Sequence, residues 1–324
     1  MKYNLNIDQL AGCLLGGALG DALGYPVEFE KVSQMSQDHD FDNIVGKLIV
    51  SDDTQMTLFT ANALLLDGNL RINTWNCYQD WLETQFKQGK SELSHRPISW
   101  LMEYPEIYAS REPGRTCLMT LMRGIPGDLT EPINQSKGCG ALMRVAPLAF
   151  IDREDPYSAA IENSALTHGH QMSHISSAAL VGLLRYISEG ETLRASVSLM
   201  RQDIKKIFVG SLEIKVFDDL LQQAVLASEK DFDDMEIISR LGEGWVAEET
   251  LAIALYCSLK YPNDLKKALR VAVFHAGDSD STGSVTGQIL GTLLGAKKLP
   301  QEEIKRLDLL KPLMKMIERL SERS

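Results

Sequence analysis

The sequence predicts an all-α protein, and three observations support that prediction. Apolar residues recur every three to four positions along most of the 324 residues. The period-2 alternation typical of half-buried strands is nearly absent, and residues 43–50 are the only weak candidate. Glycine recurs at every fourth position in two apolar segments. We therefore expect about a dozen helices in a single domain spanning residues 1–324.

The individual helices follow from where each apolar pattern starts and stops. Gly68 and Asn69 should lie just beyond the end of one helix, because both residues are favoured there. Pro262 should separate two others, since proline cannot continue a helix. Residues 87–137 contain five prolines and are expected to form loops. The predicted helices cover residues 7–23, 54–66, 72–88, 140–148, 156–165, 172–188, 192–210, 215–228, 247–260, 263–275, 283–296 and 300–323.

The first helix and the helix at 283–296 each carry a row of glycines. The rows are Gly12, Gly16, Gly20 and Gly24, and Gly283, Gly287, Gly291 and Gly295. Each glycine costs a helix interior about 0.5–1 kcal/mol relative to alanine, which close backbone packing along the row would offset. Antiparallel packing would bring Glu28 to the same end as Asp278 and Asp280. The alternative is two separate buried helices.

Two acidic clusters, far apart in the sequence, each precede a predicted helix. One contains Ser51, Asp52 and Asp53, and the other runs from Asp278 through Asp280 to Ser281. Adjacent carboxylates repel one another unless a cation lies between them. Carboxylate and hydroxyl oxygens suit a hard ion such as Mg²⁺ or Mn²⁺. Helix capping is the alternative for either cluster alone, but it needs only one side chain per helix.

The overall composition excludes several classes of function. The net charge of −11 opposes a broad nucleic-acid or anionic-membrane surface. The five cysteines show no CxxC spacing, which disfavours structural zinc and a disulfide framework and indicates a reducing cytoplasm. The N-terminal segment lacks the pattern of a signal peptide, and no run approaches about 18 apolar residues. We expect a cytoplasmic protein without a membrane span.

Two further segments are candidates for binding an anionic ligand. Residues 136–144 form a small-residue loop before a predicted helix, and its N–H groups together with Lys137 suit a phosphate. An ordinary loop-to-helix turn remains the alternative. His168 precedes the helix predicted at 172–188 and is interpreted as a contact to an anionic substrate. In the segment 244–250, Trp245 is expected to anchor the core and the glutamates to stabilise a helix start.

Taken together, these segments resemble the ADP-ribosylglycohydrolase family, which includes dinitrogenase reductase-activating glycohydrolases and hydrolases of ADP-ribosylarginine and ADP-ribosylserine. The resemblance implies an all-α orthogonal bundle with two Mg²⁺ or Mn²⁺ ions at the bottom of a cleft. The matching segments are GGALGDALGYPVEF (16–29), SDDTQM (51–56), GCGALMRVAP (138–147), TH (167–168), GWVAEET (244–250) and GDSDSTG (277–283).

The resemblance also assigns roles to individual residues. Glu28 and Asp53 are the expected catalytic carboxylates. The substrate would be bound by Lys137, Gly138, Cys139, Gly140 and His168. The metal ligands would be Ser51, Asp52, Asp53, Asp278, Asp280 and Ser281. Cys139 stands where the family commonly has asparagine, and Ser136 stands where some bacterial members have a carboxylate proposed as a base, so that role does not transfer.

The activity that the resemblance implies is hydrolysis of the bond between ADP-ribose and a protein side chain. The sequences of residues 136–140 and 277–283 most resemble those of the arginine-directed hydrolases, which favours an arginine-linked substrate. The alternatives are an O-linked substrate, either serine or O-acetyl-ADP-ribose, and a catalytically silent ADP-ribose-binding protein. All five acidic residues of the site are present, which favours an enzyme. The expected partner is an ADP-ribosylated protein, and the sequence indicates no oligomeric state.

Overall fold

The structure is a computed structural model that describes residues 5–36, 39–152 and 155–323. Within those residues there is no β-strand, and the only extended pairings are isolated bridges between Leu48 and Leu307 and between Gly138 and Val246. The all-α prediction is confirmed. The weak strand predicted at 43–50 is wrong, because Leu48 alone pairs with another segment.

The helices begin and end close to most of the predicted positions. N-caps account for several starts: the Asn69 side chain accepts from the N–H of Ile72, and the Thr192 side chain accepts from that of Ala195. The helices are α1 (Ile7–Gly24), α2 (Asp52–Leu64), α3 (Leu70–Thr84), α4 (Arg115–Met122), α5 (Pro156–Ala165), α6 (Gln171–Ser188), α7 (Leu193–Ile207), α8 (Glu213–Ser228), α9 (Asp234–Leu241), α10 (Ala247–Lys260), α11 (Leu265–Val273), α12 (Ser279–Leu294), α13 (Gln301–Arg306) and α14 (Leu310–Arg323).

The two glycine-rich helices, α1 and α12, pack directly against each other in the middle of the molecule. A Cβ on Gly16 would overlap the carbonyl oxygen of Gly287, and a Cβ on Gly12 would overlap that of Gly291. Gly20 faces Gly283 in the same way, so the pairing runs antiparallel. The prediction of antiparallel packing is confirmed. Helices α6, α10 and α11 also pack on α12.

The helix predicted at 140–148 is wrong. This segment forms two short 3₁₀ turns, Cys139–Ala141 and Ala146–Phe150. Pro147 has no N–H to bond the carbonyl of Met143, four residues earlier. That carbonyl instead accepts from the Thr57 hydroxyl at 3.2 Å and from Gln288 Nε2 at 2.7 Å. Tertiary hydrogen bonds thus replace the helical one.

The C-terminal prediction also needs correction, because residues 300–323 form two helices, α13 and α14. The chain bends between them, where the N–H of Asp308 donates to the carbonyl oxygen of Leu48 at 2.9 Å. Two short helices were not predicted. Helix α4 lies inside the stretch expected to be loop, and α9 follows an acidic turn.

Residues Ile7–Val27, which comprise α1 and the turn after it, are long and apolar enough to pass a length-and-composition test for a membrane span. Within the structure, 89% of their most apolar 18-residue stretch is buried. Core helices of globular proteins share this composition. The apolar character of α1 is accounted for by its packing against α12 and their neighbours.

Candidate metal centre and active site

The two acidic clusters come together at one end of the α1–α12 pair. Glu28, Asp278 and Asp280 each place a carboxylate oxygen within 4.8 Å of the others. Asp52 and Asp53 form a second such group, again with Asp280. Asp280 is therefore shared by both groups. The expectation that Glu28 meets the acids of α12 is confirmed, and the start of α2 joins them.

The start of α2 is held in place by Asp21, a fully buried residue on α1. One carboxylate oxygen of Asp21 accepts from the N–H of Ser51 at 2.8 Å. The other accepts from the N–H and the hydroxyl of Thr54, at 3.0 and 2.5 Å. Sequence reasoning missed this role of Asp21. The signal that was available is an acid in the last turn of an otherwise apolar helix, where an unpaired buried charge is rare.

Asp52 is enclosed by the loop that precedes α4. Its carboxylate accepts from the N–H of Gly114 at 3.1 Å, and its own N–H donates to the carbonyl oxygen of Arg111 at 3.1 Å. Glu112, between these two positions, has a φ of 50°. That left-handed conformation is uncommon for a residue other than glycine. The loop thus contacts Asp52 through backbone groups on both sides.

The start of α12 touches the start of α2 directly. Asp278 caps α12 by accepting from the N–H of Ser281 at 3.2 Å. The Ser281 hydroxyl donates to Asp53 at 3.2 Å, and this bond links the two clusters. The thiol of Cys139 lies 2.6 Å from the other carboxylate oxygen of Asp278 and donates to it. Capping and clustering therefore occur together, and capping alone does not explain the arrangement.

The electrostatics of the cluster favour either protons or a bound cation. Burial, with added repulsion from Asp280, raises the pKa of Glu28 from 4.5 to about 10. Burial and the same neighbour also raise the pKa values of Asp52 and Asp53 well above their usual range. One oxygen of Glu28 and one of Asp53 are buried without a hydrogen-bond partner in the described chain. Unpaired buried carboxylate oxygens are the ligands that a hard divalent ion takes.

The loop at Gly138–Gly140 lies beside this cluster and against His168. A Cβ on Gly138 would lie 3.5 Å from Nε2 of His168, and a Cβ on Gly140 would lie 3.6 Å from the same atom. His168 is fully buried, and burial lowers the pKa of its imidazole well below the usual range. The predicted substrate residues are therefore neighbours in space. No α-helix begins at Gly140, so the helix expected to follow this loop is absent.

Lys137 has a partner that the sequence did not indicate, and Trp245 does not lie where the sequence predicted it. The ammonium of Lys137 forms an ion pair with Glu248, in the first turn of α10, so its charge already has a partner. The expected core anchor Trp245 is 40% exposed, and this prediction is wrong. Its ring stacks on Phe29, which is 67% exposed, with ring centroids 6.0 Å apart. An aromatic pair thus lies on the surface next to Glu28.

Comparison with known proteins identifies the family. The model of the ADP-ribosylglycohydrolase family matches residues 2–324. The chain belongs to this family. Among curated relatives, the ADP-ribosyl-[dinitrogen reductase] glycohydrolase of Rhodospirillum rubrum is 22% identical, with 93% of this chain and 91% of the relative covered. The ADP-ribosylarginine hydrolase Tri1 of Pseudomonas putida is 24% identical, with 98% and 79% covered.

Another curated relative of the chain has a different name. ADP-ribosylhydrolase ARH3 of Mus musculus is 24% identical, with 91% of this chain and 86% of the relative covered. A solved structure described as an ADP-ribosylglycohydrolase-related protein complex superposes with a TM-score of 0.67. It is 21% identical, and the match covers 98% of both chains. This structural similarity supports the fold, while the family match supports hydrolysis of ADP-ribosyl bonds.

Proposed function

We propose that this protein is a divalent-metal-dependent hydrolase that releases ADP-ribose from modified arginine side chains of proteins. The observation that carries the proposal is the meeting of the two acidic clusters around Asp280, with unpaired buried oxygens on Glu28 and Asp53. A buried group of like charges is costly without a cation. Membership of the ADP-ribosylglycohydrolase family supplies the class of reaction.

The ligand set of the proposed centre comes from both clusters. Side-chain oxygens of carboxylates and hydroxyls match the preference of Mg²⁺, with Mn²⁺ as the second choice, and the number of acids suits two ions. Bound there, the ions would supply Lewis-acid chemistry at oxygens of the substrate. The residues that would hold them are Ser51, Asp52, Asp53, Asp278, Asp280 and Ser281.

Glu28 is the proposed general base. Its unpartnered Oε2 is buried in the cluster, and the residue follows the turn at the end of α1 rather than lying within a helix. With cations bound beside it, the Glu28 carboxylate would be ionised and would accept the proton of the water that attacks the anomeric carbon. The bond from that carbon to the arginine nitrogen would break, and the guanidine would take up a proton as it leaves. Asp53 is the second proposed catalytic carboxylate, oriented by the hydroxyl of Ser281 at 3.2 Å. The proposed contacts to the ADP-ribose moiety are Lys137, Gly138, Cys139, Gly140 and His168.

The choice of arginine rests on two kinds of support. The chain's own motifs at 136–140 and 277–283 resemble those of arginine-directed members, and one relative is named an ADP-ribosylarginine hydrolase. An O-linked substrate is the competing proposal, since another relative is named an ADP-ribosylhydrolase without a stated linkage. We also propose a cytoplasmic location, because all five cysteines are free thiols. A single domain is proposed because the family match runs from residue 2 to 324.

The deciding experiment offers purified protein a panel of conjugates with and without Mg²⁺ or Mn²⁺. The panel contains an ADP-ribosylated arginine peptide, an ADP-ribosylated serine peptide and O-acetyl-ADP-ribose, and released ADP-ribose is measured by chromatography. We expect metal-dependent release from the arginine peptide. Cleavage of only the O-linked conjugates would overturn the arginine assignment but keep the metal chemistry. Tight ADP-ribose binding without any cleavage would identify a silent binding protein.

A further inference from the structure

Arg144 is a fully buried cation near the Gly138–Gly140 loop. Its Nη1 donates to the Cys117 thiol at 3.4 Å, and that thiol lies 3.8 Å from the carbonyl oxygen of Gly140. Its guanidinium donates to the side-chain and main-chain oxygens of Asn163, at 3.1 and 3.0 Å. It also stacks over the ring of Tyr78, with the guanidinium carbon 4.5 Å from the ring centroid. These partners are all neutral. A buried arginine held by neutral groups is costly, and such a residue calls for a functional explanation.

The guanidinium is connected to His168 through one hydroxyl group. Nη2 of Arg144 donates to Oγ1 of Thr167 at 2.8 Å. The same Oγ1 lies 2.8 Å from Nδ1 of His168. Thr167 is fully buried, so water does not compete for its hydroxyl. A hydroxyl that accepts from a cation becomes a stronger donor through its own hydrogen, and the nitrogen of His168 is positioned to receive that hydrogen.

We infer that Arg144, acting through Thr167, holds His168 as the neutral tautomer with its proton on Nε2. Nδ1 is then the acceptor from Thr167, and Nε2–H is a donor. The carbonyl oxygen of His168 is bonded by Nε2 of His174 at 2.9 Å, which anchors the backbone of the residue. Arg144 and Thr167 are positioning residues in this scheme, since both act on the substrate through His168.

Because of where Nε2 lies, this tautomer can donate a hydrogen bond to a bound ligand. Nε2 lies next to Gly138 and Gly140, on the loop proposed to bind ADP-ribose. A diphosphate or a ribose hydroxyl presents acceptor oxygens, which need a donor rather than a second acceptor. Burial and the charge of Arg144 lower the pKa of His168, which keeps the ring neutral at physiological pH. The identity of the ligand, but not the tautomer, rests on the proposed function.

The tautomer can be read without any substrate. In ¹⁵N-histidine-labelled protein at neutral pH, we expect Nδ1 of His168 to give the shift of an unprotonated nitrogen and Nε2 that of a protonated one. Thr167→Val, which has nearly the shape of threonine, should remove this preference, and Thr167→Ser should keep it. The matched control is Thr74→Val. Thr74 is a buried threonine in α3 whose hydroxyl donates to the carbonyl of Leu70.

Two results would overturn the inference. One is a proton on Nδ1 of His168 in the unmutated protein, and the other is an unchanged tautomer in Thr167→Val. A purely structural role for Thr167 would lower the melting temperature without moving the nitrogen shifts. Thr167→Ser guards against loss of folding, because it restores the hydroxyl at a smaller cost in volume.

Calorimetry with ADP-ribose then tests the consequence for binding. Thr167→Val should weaken the affinity about tenfold, which corresponds to about 1.4 kcal/mol, while Thr167→Ser and Thr74→Val should bind like the unmutated protein. Equal affinity for all variants would overturn the donor role of Nε2. The failure of the proposed function is a separate result: cleavage of no conjugate by the unmutated protein, with the His168 tautomer still as inferred.

Discussion

Asp53 provides a direct residue-scale test of the metal centre. One of its oxygens accepts from Ser281, and the other has no partner among the described residues. Asp53→Asn keeps the shape of the side chain and removes one negative charge. We expect Mg²⁺ affinity, measured by calorimetry, to fall by about 100-fold or more. Removing a residue that only hydrogen-bonds to a metal ligand typically lowers metal affinity by about 10–100-fold, and loss of a ligand itself should lower it further.

The control for this substitution is Asp219→Asn. Asp219 is an exposed residue that forms an ion pair with Lys215 at 3.5 Å, and it lies on α8, outside the acidic clusters. Its replacement should leave Mg²⁺ affinity unchanged. Equal affinities for Asp53→Asn and the unmutated protein would exclude Asp53 as a ligand.

Glu28 should separate chemistry from binding. Glu28→Gln retains hydrogen-bonding groups but cannot accept a proton, so turnover should fall by about 10²–10⁴-fold while ADP-ribose still binds. Single-turnover kinetics on the arginine conjugate and calorimetry with ADP-ribose provide the two measurements. A parallel loss of binding and turnover would instead indicate that Glu28 is needed to assemble the site.

At the scale of elements, the glycine rows of α1 and α12 predict that a glycine-to-alanine substitution in a helix will destabilise the protein. Replacing a helical glycine by alanine ordinarily stabilises a protein by about 0.5–1 kcal/mol. A methyl group on Gly16 would overlap the backbone of Gly287 on the opposing helix. A backbone atom cannot move aside as a flexible side chain can. We expect Gly16→Ala to lower the free energy of unfolding by about 1–3 kcal/mol or more, as measured by urea denaturation.

The matched substitution is Gly89→Ala. Gly89 has a φ of 177°, which any residue adopts, and a methyl group there would meet no atom within 4 Å. Its stability should be close to that of the unmutated protein. A stabilised Gly16→Ala variant would show that α1 and α12 do not pack as closely as described.

The segment between residues 139 and 150 shows where element-level prediction reaches its limit. Its apolar pattern fits a helix, yet the carbonyl of Met143 is claimed by Thr57 and Gln288 from two other helices. Those donors lie 86 and 145 residues away in the sequence. Local periodicity contains no information about partners at such separations.

At the scale of the whole molecule, the buried acids make stability depend on pH and on metal together. Without a bound ion, burial raises the pKa of Glu28 from 4.5 to about 10, so the folded chain binds more protons than the unfolded chain. Its contribution to stability is complete below about pH 4.5 and is lost as the pH rises toward 10. Asp52, Asp53 and Asp280 are shifted in the same direction.

We therefore expect the melting temperature of chelator-treated protein to fall as the pH rises from neutral to alkaline values. Mg²⁺ should oppose that fall, because an ion that binds only the folded state stabilises it by mass action. Calorimetric scans across pH, with chelator or with Mg²⁺, give the comparison. Identical pH profiles under both conditions would contradict a metal centre at the acidic cluster, and Asp53→Asn should show a reduced response to the ion.

The sequence by itself determined the helical class, the two glycine rows and the two acidic clusters. Each of these features depends on the spacing of residues within a few helical turns, and that spacing predicts which residues share a helix face. The glycine rows also implied a partner, since a helix with four glycines on one face needs a close neighbour. That reasoning led from Gly16 and Gly287 to the convergence of Glu28 with Asp278 and Asp280.

Only the tertiary structure decided what surrounds those residues. Asp21 proved to hold the start of α2, Lys137 proved to be paired with Glu248, and Trp245 proved to lie on the surface against Phe29. The link from Arg144 through Thr167 to His168 was also invisible in the sequence. The physical reason is common to all of them. A buried charge or an aromatic ring is stabilised by whichever groups the fold brings near, and those groups come from different segments of the chain.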